Sequence, residues 1–362
     1  MYERIFNLNA EPFRLSPDHH FCFEHEAYAK ARAYMAYAYM RAEGFAMITG
    51  RPGTGKTTLI GDLVDSLADE SVNTANLVCT QLEANDLLKM VAYNFGISSK
   101  VVEKGELLQQ LTELLQRWNR EGRRALLIVD EAQDLTVSAM EELRLLTNIQ
   151  NNGNPLLQIF LLGQPELREL VLRPEMEQVH QRIVAASHLK SLEEGETEAY
   201  IRHRLEKVGW VGDPAISKAV YPLVYKFSEG VPRRINLICS RLLLHCAVER
   251  RHQVLVADVK EVITELQGEH LAAGQSFSEQ DFQVSDEFEA TGSGPTASAA
   301  VHTAGQESAG PEPAGTGKQQ PAPAPGILAT ESPVSTDDEV GAAVRGFPGA
   351  GASSQKKKMK LV

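Results

Sequence analysis

Between Gly44 and about Leu189 the apolar positions fall into two alternating patterns. The runs FAMITG and ALLIVD, and the segment Leu156–Leu162, have almost no polar interruption, as strands covered on both faces require. ANLVC reads as a further strand. Between them lie longer stretches whose apolar residues recur with a period near 3.6: TGKTTLIGDLVDSLA, Ala84–Phe95, Gly105–Arg120 and Val137–Gln150. Strands alternating with helices predict an α/β fold, a parallel sheet with helices on both faces.

From Ser191 the strand patterns fade. Ser191 and Glu194 form a capping-box pattern ahead of ETEAYIRHRLEKVG. Asp213 and Pro214 are expected to open a second helix, with Gly230 suited to its end. RRINLICSRLLLHCAVERR and ADVKEVITELQ give a third and a fourth. The expected organisation is an N-terminal extension over 1–43 packing on the core and a nucleotide-binding α/β domain over 44–190. A small α-helical lid domain over 191–270 and a low-complexity tail over 271–362 complete it. In the extension, an aromatic-proline stretch, PFRLSPDHHFCF, precedes a helix through EAYAKARAYMAYAYM expected to lie on the α/β domain. Past about Leu271 the chain turns to Ala, Gly, Ser, Pro, Thr and Glu, which cannot bury enough apolar surface to offset ordering, so disorder is expected up to the basic KKKMK.

Hydrophobic residues make up 43% of the 362, enough for a sizeable core. A formal net charge of -12 argues against non-specific attraction to nucleic acid or anionic lipid, although a local basic groove is compatible with it. No apolar run approaches the roughly 20 residues of a membrane span, and the N-terminus lacks a basic-then-apolar signal design. Those features predict a cytoplasmic protein. Cys22, Cys79, Cys239 and Cys246 form no CxxC pair. Cys239 and Cys246, seven apart in a helical pattern, are expected to share a buried face.

Gly50, Arg51, Pro52, Gly53, Thr54, Gly55, Lys56 and Thr57 fit GxxxxGK[ST] between a predicted strand and a predicted helix. With Thr58 they form the expected ATP-binding loop. Its glycines let backbone N–H groups converge on phosphate at the positive end of a helix. Lys56 supplies a point charge to the β- and γ-phosphates, and Thr57 offers its hydroxyl to Mg²⁺. The run ending at Asp130 and Glu131 is the matching element: Asp130 emerges from a buried strand to hold the metal, and Glu131 orients the attacking water. No NKxD-like motif reads a guanine, so adenine is favoured.

The separation of about 75 residues between these motifs accommodates another strand and two helices, so the two strands are not expected to be neighbours. Leu156–Leu162 would lie between them, and Gln164 just beyond could reach the γ-phosphate or the water. Three arginine positions compete for further phosphate contacts. Arg182, after a helix on the far side of the domain, would reach a neighbouring subunit's nucleotide, with Arg168 as the weaker rival. Arg233, in Gly230-Val-Pro-Arg-Arg, would tie the lid to the γ-phosphate, with Arg234 as the alternative.

The set formed by the loop at 50–57, DEAQ at 130–133, LLGQPEL at 161–167, QRI at 181–183 and GVPRRIN at 230–236 resembles the general secretion pathway protein A group of AAA+ ATPases. The MYE…PF…PD…F opening, QLEANDLLKMVAYNFGI and ETEAYIRHRLEKVGWVGDP look closer still to the ATPase of PEP-CTERM/exosortase and exopolysaccharide loci. The resemblance covers about residues 1–268. It implies ATP and Mg²⁺ on Lys56, Thr57, Asp130 and Glu131, with Gln164 as first sensor, Arg182 as trans finger and Arg233 as second sensor. It also implies a homo-oligomer, often a ring, that assembles or energises a secretion or polysaccharide-export apparatus, peripheral to the inner membrane through its partners. Members of the secretion group commonly continue into a membrane helix and a peptidoglycan-binding domain, whereas this chain runs into a polar segment. Two other readings compete: a DNA-transaction regulator of the transposition or origin type, and a nucleotide-gated scaffold with little turnover.

Overall fold

A computed structural model describes residues 2–16, 18–67, 72–78, 82–97, 103–269 and 278–288. Cys79 and the expected tail beyond 288 lie outside them. A short helix α1 (Tyr2–Ile5) and an irregular arm lead into α2 (Glu26–Arg41). The α/β region follows as β1 (Phe45–Gly50), α3 (Lys56–Ser66), β2 (Val72–Val78), α4 (Ala84–Asn94), α5 (Lys104–Arg120), β3 (Arg124–Asp130) and α6 (Val137–Leu146). A two-residue hairpin, β4 (Gln150–Asn151) and β5 (Asn154–Pro155), precedes β6 (Leu157–Gly163), α7 (Pro165–Val171), α8 (Glu177–His180) and β7 (Ile183–Leu189).

The five long strands form one parallel sheet in the order β2-β3-β6-β1-β7. Strand β6 therefore separates the P-loop strand β1 from β3, as the motif spacing requires. Side chains alternate between the two faces of each strand, so an unbroken apolar run fills two cores. Met47, Leu127, Val129, Ile159 and Leu161 pack under α4, α5, α6 and α7. Ala46, Ile48, Leu126, Ile128, Phe160 and Leu162 face α2 and α3 on the other side. Arg182 and β7 close the sheet at one edge, where Ala186 and His188 remain exposed.

The lid comprises α9 (Glu194–Lys207), β8 (Ala215–Ile216), α10 (Val220–Ser228), α11 (Pro232–Val248), β9 (Gln253–Val254) and α12 (Val256–Gly268). Two local expectations change. The N-cap of α9 is Glu193, whose N–H donates to Glu196 Oε2 at 2.9 Å, rather than Ser191. Leu192 is held outside the helix by its N–H bond to the Gly230 carbonyl at 2.8 Å. No helix opens at Asp213-Pro214: the N–H groups of Ala215 and Ser217 bond to the His252 and Val254 carbonyls in a β8–β9 pairing, and α10 begins at Val220.

The N-terminal extension divides its packing. Tyr2, Phe6, Leu8 and Phe13 join the lid core, while Tyr28, Ala31, Met35, Ala38 and Tyr39 of α2 pack on the sheet. Cys239 and Cys246 are both buried in the lid core, and burial pushes the Cys246 thiol up to about 12. Within the segment expected as a tail, residues 278–288 return to the lid. Phe282 stacks on Phe227 at 5.8 Å, Lys226 bonds Asp281 at 2.5 Å, and the Val256 N–H bonds Asp286 at 3.0 Å.

Candidate functional site

Strand β1 delivers the chain to the P-loop at the C-terminal edge of the sheet. Gly53 and Gly55 adopt φ of 82° and 97°, the left-handed region where a Cβ is strained. Thr54 Oγ1 donates to the Arg51 carbonyl at 2.9 Å and tightens the turn into α3. Lys56 is buried, and its ammonium donates to the carbonyls of Gly50 at 2.9 Å and Arg51 at 3.3 Å. Burial lowers its pKa, against the opposing influence of Glu131 and Asp130. A buried cation that donates to neutral carbonyls calls for an anion, and this loop presents one side to a cleft of about 240 Å³.

Asp130 ends β3 beside that loop. Thr57 Oγ1 donates to its Oδ2 at 3.0 Å, and its Oδ1 accepts the Glu131 N–H at 2.9 Å. Glu131 has a φ of 52°, a strained conformation for a side chain other than glycine. Its carboxylate accepts from Gln133 Nε2 at 2.8 Å and Gln164 Nε2 at 3.4 Å. Gln133 Oε1 in turn accepts the N–H of Gln164 at 3.0 Å. Gly163 makes that clasp possible, because a Cβ there would sit 2.7 Å from Gln133 Oε1. The end of β6 is thereby tied to the acidic pair.

These residues fit MgATP. The glycine loop and Lys56 suit phosphate; Thr57 and Asp130 juxtapose two hard oxygen donors of the kind Mg²⁺ takes alongside phosphate oxygens and water. Among the described residues no cluster of three or more His, Cys, Asp or Glu could hold a metal ion. Pro52 and Thr58 also line the cleft.

The lid closes the other side. The Arg233 N–H donates to the Gly53 carbonyl at 3.2 Å, and Arg233 lines the cleft with the P-loop. Arg182 lines no part of it. Its guanidinium donates to Thr147 Oγ1 at 2.6 Å, at the end of α6. Arg168 is exposed on α7, close enough to His188 to help lower that imidazole's pKa, although partial desolvation of the otherwise exposed ring is the larger cause. Lys56, Thr57, Asp130, Glu131, Gln164 and Arg233 are thus brought together within the chain, while Arg182 and Arg168 stand apart.

Sequence reasoning missed the cleft's outer wall. Arg204 on α9 donates to the Pro12 carbonyl at 2.6 Å and to Tyr200 Oη at 2.7 Å. Tyr200 donates to Asn236 Oδ1 at 2.9 Å, and Asn236 Nδ2 to the Arg14 carbonyl at 3.0 Å. The Arg204 guanidinium also lies 5.0 Å from the Phe21 ring centre. The arm is therefore pinned to the lid at the cleft mouth. The i, i+4 pair Tyr200 and Arg204, with the aromatic-proline stretch, is the signal that could have revealed it.

Residues 40–171 match the family model described as the AAA domain. The chain is 34% identical over 272 residues to general secretion pathway protein A of Aeromonas hydrophila, covering 74% of this chain and 49% of that protein. It spans about half the length of the curated relative it matches. Among solved structures, the Aeropyrum pernix ORC2 protein in its ADPNP-ADP complexes has a TM-score of 0.54 at 19% identity, covering 69% of this chain and 72% of that one. Cdc6p from Pyrobaculum aerophilum has a TM-score of 0.56 at 14% identity, covering 76% and 72%. At those identities the likeness is one of fold.

Proposed function

We propose that this chain, an AAA+ ATPase related to general secretion pathway protein A, hydrolyses MgATP in a site shared between subunits and uses the cycle to assemble or energise a secretion or exopolysaccharide-export apparatus at the inner membrane. The observation that carries the chemistry is the continuous clasp from Thr57 through Asp130 and Glu131 to Gln133 and Gln164. Lys56 and the P-loop N–H groups hold the phosphates. Thr57 and Asp130 hold Mg²⁺, which when bound neutralises charge on the phosphate oxygens. Glu131 takes the water's proton, and Gln133 keeps that carboxylate from rotating. Gln164 senses the γ-phosphate from the end of β6, and Arg233 does so from the lid. Arg182 serves the neighbouring subunit's site as a finger.

The partner class rests on the relationship to general secretion pathway protein A, and the cytoplasmic, membrane-peripheral location rests on it too. Among the described residues no helix is long and apolar enough to cross a membrane. Glu131→Gln tests the reading. It should bind ATP as the wild type does, stop turnover and accumulate an assembled species that sediments faster in ATP. Isolated from membranes of cells making it, that trapped species should carry export-apparatus proteins in ATP and lose them in ADP. Equal sedimentation of mutant and wild type in ATP counts against the assembly cycle, and recovery of DNA in place of membrane proteins counts against the export role.

A further inference from the structure

The P-loop and the lid meet where residues 51–53 face residues 229–233, and one carboxylate bridges them. Arg51 Nη2 lies 2.6 Å from Glu229 Oε2, and Arg234 Nη1 lies 3.4 Å from Glu229 Oε1. Glu229 thus holds one guanidinium from each domain. Arg51 beside it, and then Arg234, keep its carboxyl below the usual range.

The backbone fixes where that carboxylate stands. Glu229 caps α10 with a φ of 52°, and Gly230 follows at 66°. A Cβ on Gly230 would sit 1.9 Å from the Leu192 carbonyl oxygen, so the loop is pressed against the irregular segment between β7 and α9. On its other side the loop touches Gly53, where a Cβ would lie 2.6 Å from Arg233 Cβ. The lid is gripped by close packing at Gly53 and by charge at Arg51. Arg234 is drawn to Glu229, and of the two adjacent arginines only Arg233 lines the cleft.

We propose that Glu229 is a positioning residue: paired with Arg51, it clamps the lid onto the phosphate loop and directs Arg233, rather than Arg234, into the nucleotide cleft. The proposal rests on the ATP-binding reading above. It gives the side chain of Arg51 a task distinct from phosphate contact, while its backbone remains part of the loop. The side chains of Arg51 and Glu229 are 48% and 27% exposed, so the clamp is open to screening and lid closure becomes salt-sensitive. A clamp that favours the closed cleft strengthens nucleotide binding, and its loss falls on KM rather than kcat.

A double-mutant cycle on the full chain tests this. Arg51→Ala and Glu229→Gln are each expected to raise KM for ATP about fivefold, with kcat within about twofold. The double mutant should also show a rise of about fivefold, because either change alone already breaks the pair. Added salt should raise the wild-type KM more steeply than the double mutant's. Glu229→Gln keeps the side chain's shape and Arg51 is exposed, so folding does not hinge on either. Single effects that multiply in the double mutant, or singles with unchanged KM, overturn the clamp. Lys56→Ala separates the two levels: if it retains ATP as the wild type does, the ATP-binding reading itself fails, whereas multiplicative singles in a wild type that binds ATP sink only the clamp.

Discussion

Replacing Gln133 with alanine should slow hydrolysis without weakening ATP binding. Gln133 makes two bonds at once, donating to Glu131 Oε2 at 2.8 Å and accepting the Gln164 N–H at 3.0 Å. The first is charge-assisted and sets the direction of a carboxylate whose backbone is already strained at a φ of 52°. Without it, Glu131 retains only the 3.4 Å contact from Gln164, which is long for a hydrogen bond. A hydrogen bond to a charged group contributes about 1.5–3 kcal/mol. If that orientation is needed in the transition state, kcat should fall roughly ten- to a hundredfold. KM should stay within about twofold, since Lys56 and the glycine loop are untouched. Phosphate release measured across ATP concentrations separates the two parameters. A Gln133→Ala protein with wild-type kcat, or one whose defect lies wholly in KM, refutes the reasoning.

Gly230→Ala should destabilise the protein by roughly 2–4 kcal/mol, because it adds left-handed strain to a contact of 1.9 Å with the Leu192 carbonyl; denaturant midpoints measure the loss. An unchanged midpoint means the loop is free to move away. Acid should weaken the fold before carboxylates titrate. The pKa values of His25 and His203 are lowered, chiefly by burial, so between those values and about 6.5 the unfolded chain binds more protons than the folded one. Stability is then complete above about pH 6.5 and is lost as pH falls below it. Melting temperatures read from pH 7.5 down to 5.5 should drop, with a shallower slope in His203→Asn; matching slopes contradict that assignment.

The parts of this fold that were readable in the sequence are those where one strong requirement decides the residue. A strand covered on both faces must be apolar throughout, so β1, β3 and β6 stood out, and the gap between their motifs placed β6 in the middle. A phosphate loop must be glycine-rich, so Lys56 and Thr57 were legible too. Strand β7 was not, because an edge strand rich in Ala, Ser and His alternates too weakly to register. Gln133 and Glu229 escaped for a different reason. Gln133 ties Glu131, two residues before it, to Gln164, 31 residues on, and Glu229 pairs with Arg51 of the P-loop; contacts at such separations leave no periodic trace. The helix expected at Pro214 yielded to a β8–β9 pairing, where a backbone partner 38 residues on, Gln253 opposite Ala215, outweighs a local start signal. Residues 278–288 are polar enough to read as tail, and one aromatic stack with a few charge pairs brings them back to the lid.

Hydrolysis per subunit over a wide range of protein concentration tests whether the proposed ATPase site is completed by a second subunit. Within one chain Arg182 is bonded to Thr147 and lines no part of the cleft, and we propose that it serves a neighbouring subunit's site. Specific activity should rise with concentration and collapse in Arg182→Ala, while that variant still binds ATP. Activity that is flat with concentration and indifferent to Arg182→Ala contradicts the proposal.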